Sequence, residues 1–132
     1  MKRSAVSQRA AGVGRAVEVA VSVKNQVEGN IVQGVSRALF EEVTFDGNGV
    51  TSLDWKSYPI LKFPDVPDLD IILVNRQDIA PLGAGELATV PIPAAIANAI
   101  FDATAIRMRE VPFTPKRVLA GLEALQRSGR AA

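Results

Sequence analysis

The chain has 132 residues, 48% of them hydrophobic and 22% charged, with a net charge of +1. That length favours one domain and suffices for a core without covalent staples. With no Cys and no His, a disulfide framework, a Cys-ligated cluster and imidazole catalysis are excluded, which leaves acid–base work to Asp, Glu, Lys or Tyr. The near-neutral charge gives a nucleic-acid partner no overall electrostatic support.

Lys2, Arg3, Arg9 and Arg15 precede the first acidic residue, Glu18. A basic, acid-poor start is a feature of targeting segments, but no apolar region follows the charges closely, so a solvated N-terminus is expected. No apolar run reaches the roughly 18 residues of a membrane span. Val17, Val19, Val21 and Val23 alternate, which predicts a short strand. A helix follows, with Val27, Ile31, Val35, Ala38 and Leu39 at spacings of three or four. Gln26, Asn30, Gln33, Arg37 and Glu41 make its polar face. Gly29 and Gly34 each cost a helix interior about 1 kcal/mol relative to Ala. Two such positions point to close approach of either another packed element or a ligand.

Val43 and Phe45, the turn residues Asp46-Gly47-Asn48-Gly49, and a return strand over residues 50–55 predict a hairpin. The turn needs positive-φ positions, which its glycines supply. Pro59, Pro64 and Pro67 predict an extended or looped stretch. Ile71 to Val74 is a continuous apolar run, as in a strand covered on both faces. After the loop Leu82-Gly83-Ala84-Gly85-Glu86, Pro91 and Pro93 open a helix over about residues 93–103. It is apolar almost all round, which predicts burial. Residues 111–113 read as a strand. Thr114-Pro115 reads as the N-cap and first residue of a last helix, with Val118, Leu119, Leu122 and Leu125 on one face and a frayed tail from Gln126.

Glu86 stands out from the residues alone. It lies on a glycine loop just ahead of a helix, where backbone N–H groups hold an anion or the carboxylate itself. A carboxylate that only complements a helix dipole fits the same pattern. Gly12-Val13-Gly14 lacks the preceding strand and third glycine of a dinucleotide fingerprint, and is set aside.

The motifs Gln26-Val27-Glu28-Gly29, Gly34, the hairpin, Tyr58-Pro59, Gly83-Ala84-Gly85-Glu86 and residues 97–104 (ANAIFDAT) occur in a characteristic order. In that order they resemble the C-terminal part of the molybdopterin-binding large subunit of xanthine dehydrogenase/aldehyde oxidase-type molybdenum hydroxylases. The isoquinoline oxidoreductase and nicotinate dehydrogenase-like members are the most similar. The resemblance covers about residues 24–122. It implies an α+β fold of long helix, β-hairpin and strands, buried apolar helix and C-terminal helix, forming part of a larger molybdopterin-binding domain. Residues 1–22 do not match the family, 23–126 form the C-terminal portion of that domain, and 127–132 are a tail.

By this resemblance Gln26 contacts the molybdenum cofactor and Gly85 presents its backbone to it. Glu86 is the catalytic base, taking a proton from a metal-bound hydroxyl before attack on an electrophilic carbon of an aldehyde or N-heterocycle. A weak base suffices because the metal acidifies the hydroxyl. The implied cofactor is molybdenum–molybdopterin, shared with the rest of the large subunit, and the isolated chain is expected to hold none. The implied partners are the remainder of that subunit and an iron–sulfur subunit, in the cytoplasm, without nucleic acid or a transmembrane segment. The family's pattern is broken at Leu87, where many members have proline, and at Ala105, where many have a glycine that caps the helix. A non-catalytic remnant or interaction module of the same origin carries the same motifs, and a neighbouring reading frame for the missing portion discriminates the two readings. An unrelated small α+β binding protein leaves the order of the motifs unexplained.

Overall fold

A computed structural model describes residues 5–6, 13–74, 76, 78 and 83–130. The expectation of a solvated terminus at residues 1–4 and 7–12, and the Leu82 position of the glycine loop, lie outside the described residues. The elements in chain order are β1 (Ala5–Val6), α1 (Val13–Leu39), β2 (Phe45–Asp46), β3 (Gly49–Val50), β4 (Ile72–Leu73), α2 (Ile92–Thr104) and α3 (Pro115–Arg130). A single 3-10 turn spans Phe63–Asp65. The expected α+β mix is present. β1 pairs with β4 in parallel, Ala5 opposite Ile72 and Val6 opposite Leu73. β2 and β3 form the antiparallel hairpin, Phe45 opposite Val50.

α1 is the axis on which the rest is hung. The strand expected from the alternating valines is absent, because α1 runs unbroken through them and through the boundary after residue 22. A helical stripe wins over the alternation: Val23, Val27 and Ile31 recur every four residues, Val23 and Val27 are buried, and Val21 faces solvent. Ala88 joins Val23 and Val27 in the core, with Ile31, Ile71, Leu73 and Ala84 packed around them. Further along, the buried Ser36 hydroxyl accepts the Leu61 N–H at 2.9 Å, and the Ala38 carbonyl accepts the Phe113 N–H at 2.7 Å. These bonds dock the proline-punctuated stretch and the segment before α3 onto α1.

The hairpin forms as expected, but only Gly49 has positive φ, at 136°. Asp46 closes the turn by accepting the Asn48 N–H at 2.7 Å. The return strand stops early. The Asp54 carboxylate gathers the N–H groups of Lys56 and Ser57 and the Ser57 hydroxyl, which turns the chain. β4 is covered on one face only: Ile71 and Leu73 meet the core while Ile72 and Val74 stay exposed. No strand forms at residues 111–113. The Val111–Pro112 peptide is cis, and the Phe113 N–H goes to Ala38 rather than to a ladder.

α2 forms where expected but no residue in it is buried. α1 covers one side, with Ile92 against Gly34, and the Arg107 guanidinium sits 3.3 Å above the Phe101 ring. Its other apolar side stays open, so the burial inferred from its composition does not hold for this chain. The helix keeps its C-cap despite the absent glycine: Ala105 is left-handed, at φ 60°, and donates to the Phe101 carbonyl at 2.7 Å. α3 begins as expected. The Thr114 hydroxyl accepts the Arg117 N–H and the Thr114 carbonyl accepts the Val118 N–H. Its end does not fray at Gln126 but stays helical to Arg130. Only Val118 and Leu122 of its stripe are half-buried, and Leu119 and Leu125 are exposed.

Candidate functional site

The first motif of the series and the glycine loop meet at α1. The Gln26 amide nitrogen donates to the Gly85 carbonyl at 2.6 Å. Gln26 is exposed at the edge of α1, and Gly85 and Glu86 are exposed on the loop that crosses it. Residues 59 apart in sequence therefore share one site. Glu86 adjoins that bond through the chain, and its carbonyl accepts the Thr89 N–H at 3.0 Å, which starts the turn into α2.

The loop is held from beneath by Asn30. Sequence spacing puts this residue on the polar face of the helix, but it is only 6% exposed. Its side-chain nitrogen donates to the Gly85 carbonyl and to the Gln26 carbonyl, both at 2.7 Å. Its side-chain oxygen accepts the Thr89 hydroxyl at 2.6 Å. The Gly85 carbonyl thus takes two bonds, from Gln26 and from Asn30. Asn30 and Thr89 are the site residues that reading the sequence missed. An Asn one turn beyond Gln26 was the available signal, but its burial depends on the loop that folds over it.

The glycines divide by what lies against them. A side chain at Gly34 would come within 2.9 Å of Ile92, so that glycine serves the packing of α2 on α1. At Gly29, Gly83 and Gly85 an added Cβ meets nothing within 4 Å. There is open space beside Gln26 and Glu86. Among the described residues no group of three or more Asp or Glu gathers as a metal site, and no helix is long and apolar enough to cross a membrane.

Comparison with known proteins shows what the chain is similar to. The chain is 52% identical over 100 residues to a nicotinate dehydrogenase subunit of Pseudomonas putida, covering 76% of this chain and 8% of that protein. It is 32% identical over 105 residues to the aldehyde oxidoreductase molybdenum-binding subunit PaoC of Escherichia coli, covering 74% and 14%. The crystal structure of quinoline 2-oxidoreductase from Pseudomonas putida 86 matches with a TM-score of 0.68 at 27% identity, over 79% of this chain and 14% of that one. No protein-family model matches. The fold and the sequence are those of the molybdenum hydroxylases of xanthine dehydrogenase and aldehyde oxidoreductase type. The chain belongs with their molybdenum-binding subunits, and it spans 8% to 15% of the length of the curated relatives it matches.

Proposed function

We propose that this chain carries one wall of a molybdenum hydroxylase active site, with Glu86 as the base and Gln26 and Gly85 as cofactor contacts. It corresponds to the C-terminal portion of the large subunit, its matching part running over residues 23–126. It acts only together with the remainder of that subunit and an iron–sulfur subunit. The observation that carries this reading is the Gln26–Gly85 hydrogen bond, which puts all three residues at one exposed edge.

The residues present fit the molybdenum–molybdopterin cofactor. The open space at Gly29, Gly83 and Gly85 leaves room for a bulky group. The polar groups on offer are an amide, a backbone N–H and a carboxylate, with no thiolate or imidazole. Such a set hydrogen-bonds the cofactor rather than ligating its metal. Gln26 is tethered by its nitrogen to Gly85, which leaves its amide oxygen and second N–H for the cofactor. The Gly85 carbonyl is already doubly bonded, so what this residue offers outward is its N–H.

When bound, the cofactor supplies the two-electron acceptor and acidifies a water-derived nucleophile. Glu86 takes the nucleophile's proton on a carboxylate oxygen as attack proceeds on an aldehyde or N-heterocycle carbon. Its exposed position in this chain leaves it facing whatever the missing portion of the enzyme contributes to the site.

The test is assembly of the chain with the missing portion of the large subunit, in trans or by fusion. Glu86→Gln keeps shape but removes the base, and turnover should fall at least about 100-fold with molybdenum retained. Near-normal turnover in that variant would return Glu86 to the role of a helix-terminus carboxylate. Gln26→Ala should instead lower molybdenum occupancy before it slows chemistry. The chain purified alone should hold no stoichiometric molybdenum, because two or three contacts do not offset the several kcal/mol that association costs.

A further inference from the structure

The role of Glu86 demands that its backbone be held still, and nothing in its own side chain does so. The two fixed points on either side of it are Gly85 and Thr89, and both are bonded to one side chain. The Asn30 amide nitrogen holds the Gly85 carbonyl at 2.7 Å, and the Asn30 amide oxygen holds the Thr89 hydroxyl at 2.6 Å. The Thr89 N–H in turn holds the Glu86 carbonyl at 3.0 Å. The amide cannot be reversed without facing its oxygen to two carbonyls, those of Gly85 and Gln26. With Asn30 buried and its bonds partly so, an unmet amide group there would be costly.

We propose that Asn30 is the positioning residue of this site. Its amide clamps the backbone before and after Glu86 to α1, and through the shared Gly85 carbonyl it sets Glu86 and Gln26 in one frame. The inference rests on Glu86 being the base and adds what orients it. It also explains why a buried amide stands one turn beyond Gln26, where an apolar residue would extend the stripe of Val27 and Ile31.

Two variants separate positioning from general stability. Asn30→Asp places a carboxylate against two carbonyls, and Thr89→Val removes the hydroxyl while keeping the shape. Thr89→Ser keeps the hydroxyl and is the rescue. In the full 132-residue chain, hydrogen exchange at the Thr89 amide should rise at least about tenfold in Asn30→Asp and Thr89→Val. Exchange inside α3 should stay unchanged, and Thr89→Ser should match the parent. An equal rise across α1, α3 and the loop would mean a merely structural Asn30 and would overturn the proposal.

In the assembled enzyme, Thr89→Val should lower kcat about tenfold with KM held within about twofold and molybdenum content intact, because the base is misplaced rather than the substrate released. Thr89→Ser should recover kcat. If Glu86→Gln abolishes turnover while Thr89→Val and Asn30→Asp leave kcat at the parent level, the base stands and the clamp falls. If Glu86→Gln is itself fully active, the base assignment fails, and the exchange pattern alone decides whether Asn30 holds the loop.

Discussion

Ala105 shows how a single residue carries a cost inside a motif. The end of α2 needs a left-handed residue, and Ala105 takes that conformation at φ 60° to donate to Phe101. A Cβ in this region costs about 1–2 kcal/mol. Thr104 helps to hold the turn, its hydroxyl donating to the Ile100 carbonyl at 2.6 Å and accepting the Ile106 N–H at 3.2 Å. Ala105→Gly removes the strain but adds backbone entropy to the unfolded chain, which returns about 0.5–1 kcal/mol of the gain. A net stabilisation of roughly 0.5 kcal/mol is expected, or a few degrees in Tm. A lower melting temperature for Ala105→Gly would show that the cap is not strained.

At the scale of elements, the two interior glycines of α1 have opposite uses. At Gly34 an added methyl would meet three atoms of Ile92 at 2.9 to 3.3 Å. Overpacking of that kind costs about 1–3 kcal/mol and outweighs the roughly 1 kcal/mol of helix propensity that Ala brings. Gly34→Ala should therefore destabilise the chain, and Ile92→Ala should recover part of the loss by removing Cγ1 and Cγ2 from the clash. Gly29 meets nothing, so Gly29→Ala should raise the stability of the isolated chain by up to about 1 kcal/mol. In the assembled enzyme the same change should lower molybdenum occupancy if the cofactor lies over this face. Chemical denaturation of the chain and metal analysis of the assembly read the two effects separately.

For the whole molecule, the termini of α1 and α3 are joined through Arg117. Its guanidinium grips both Glu42 carboxylate oxygens, at 2.7 and 3.2 Å, reaches Glu110 at 2.9 Å, and donates to the Pro112 carbonyl at 3.1 Å. The hydrogen bond from Arg117 holds the Glu42 carboxyl below the usual glutamate range, with its charge adding to the effect. A carboxylate with a depressed pKa in the folded state contributes stability above its unfolded pKa and loses it as pH falls through the folded one. The stability difference between parent and Glu42→Gln should be present at neutral pH, begin to shrink near the ordinary glutamate pKa of about 4.3, and vanish only as pH falls below the depressed folded value. Because Glu42 lies at the surface, the difference should be modest and shrink in salt. A difference independent of pH would mean that packing, not the ion pair, ties α3 down. Elsewhere large apolar side chains face solvent. Phe63, Leu53 and Phe45 are 92%, 80% and 77% exposed. One side of α2 is likewise open, and the relatives are many times longer than this chain.

Local rules were enough for several features. The apolar period of α1 beyond Val27, the Asp46–Gly49 turn and the Thr114-Pro115 helix start are each set by residues within a turn of one another. The family resemblance was readable too, because the order of its motifs survives in the chain. What failed depended on distant partners. The alternating valines joined α1 because Ala88, more than sixty residues on, completes a helical stripe. Residues 111–113 made no strand because Ala38 took the Phe113 N–H. The apolar α2 stayed half-open because composition states what a helix prefers to bury and not what lies beside it. Asn30 and Thr89 went unseen for the same reason. Sequence shows an amide and a hydroxyl, but only the loop folded over α1 buries the amide and brings the two into the hydrogen bonds that flank Glu86.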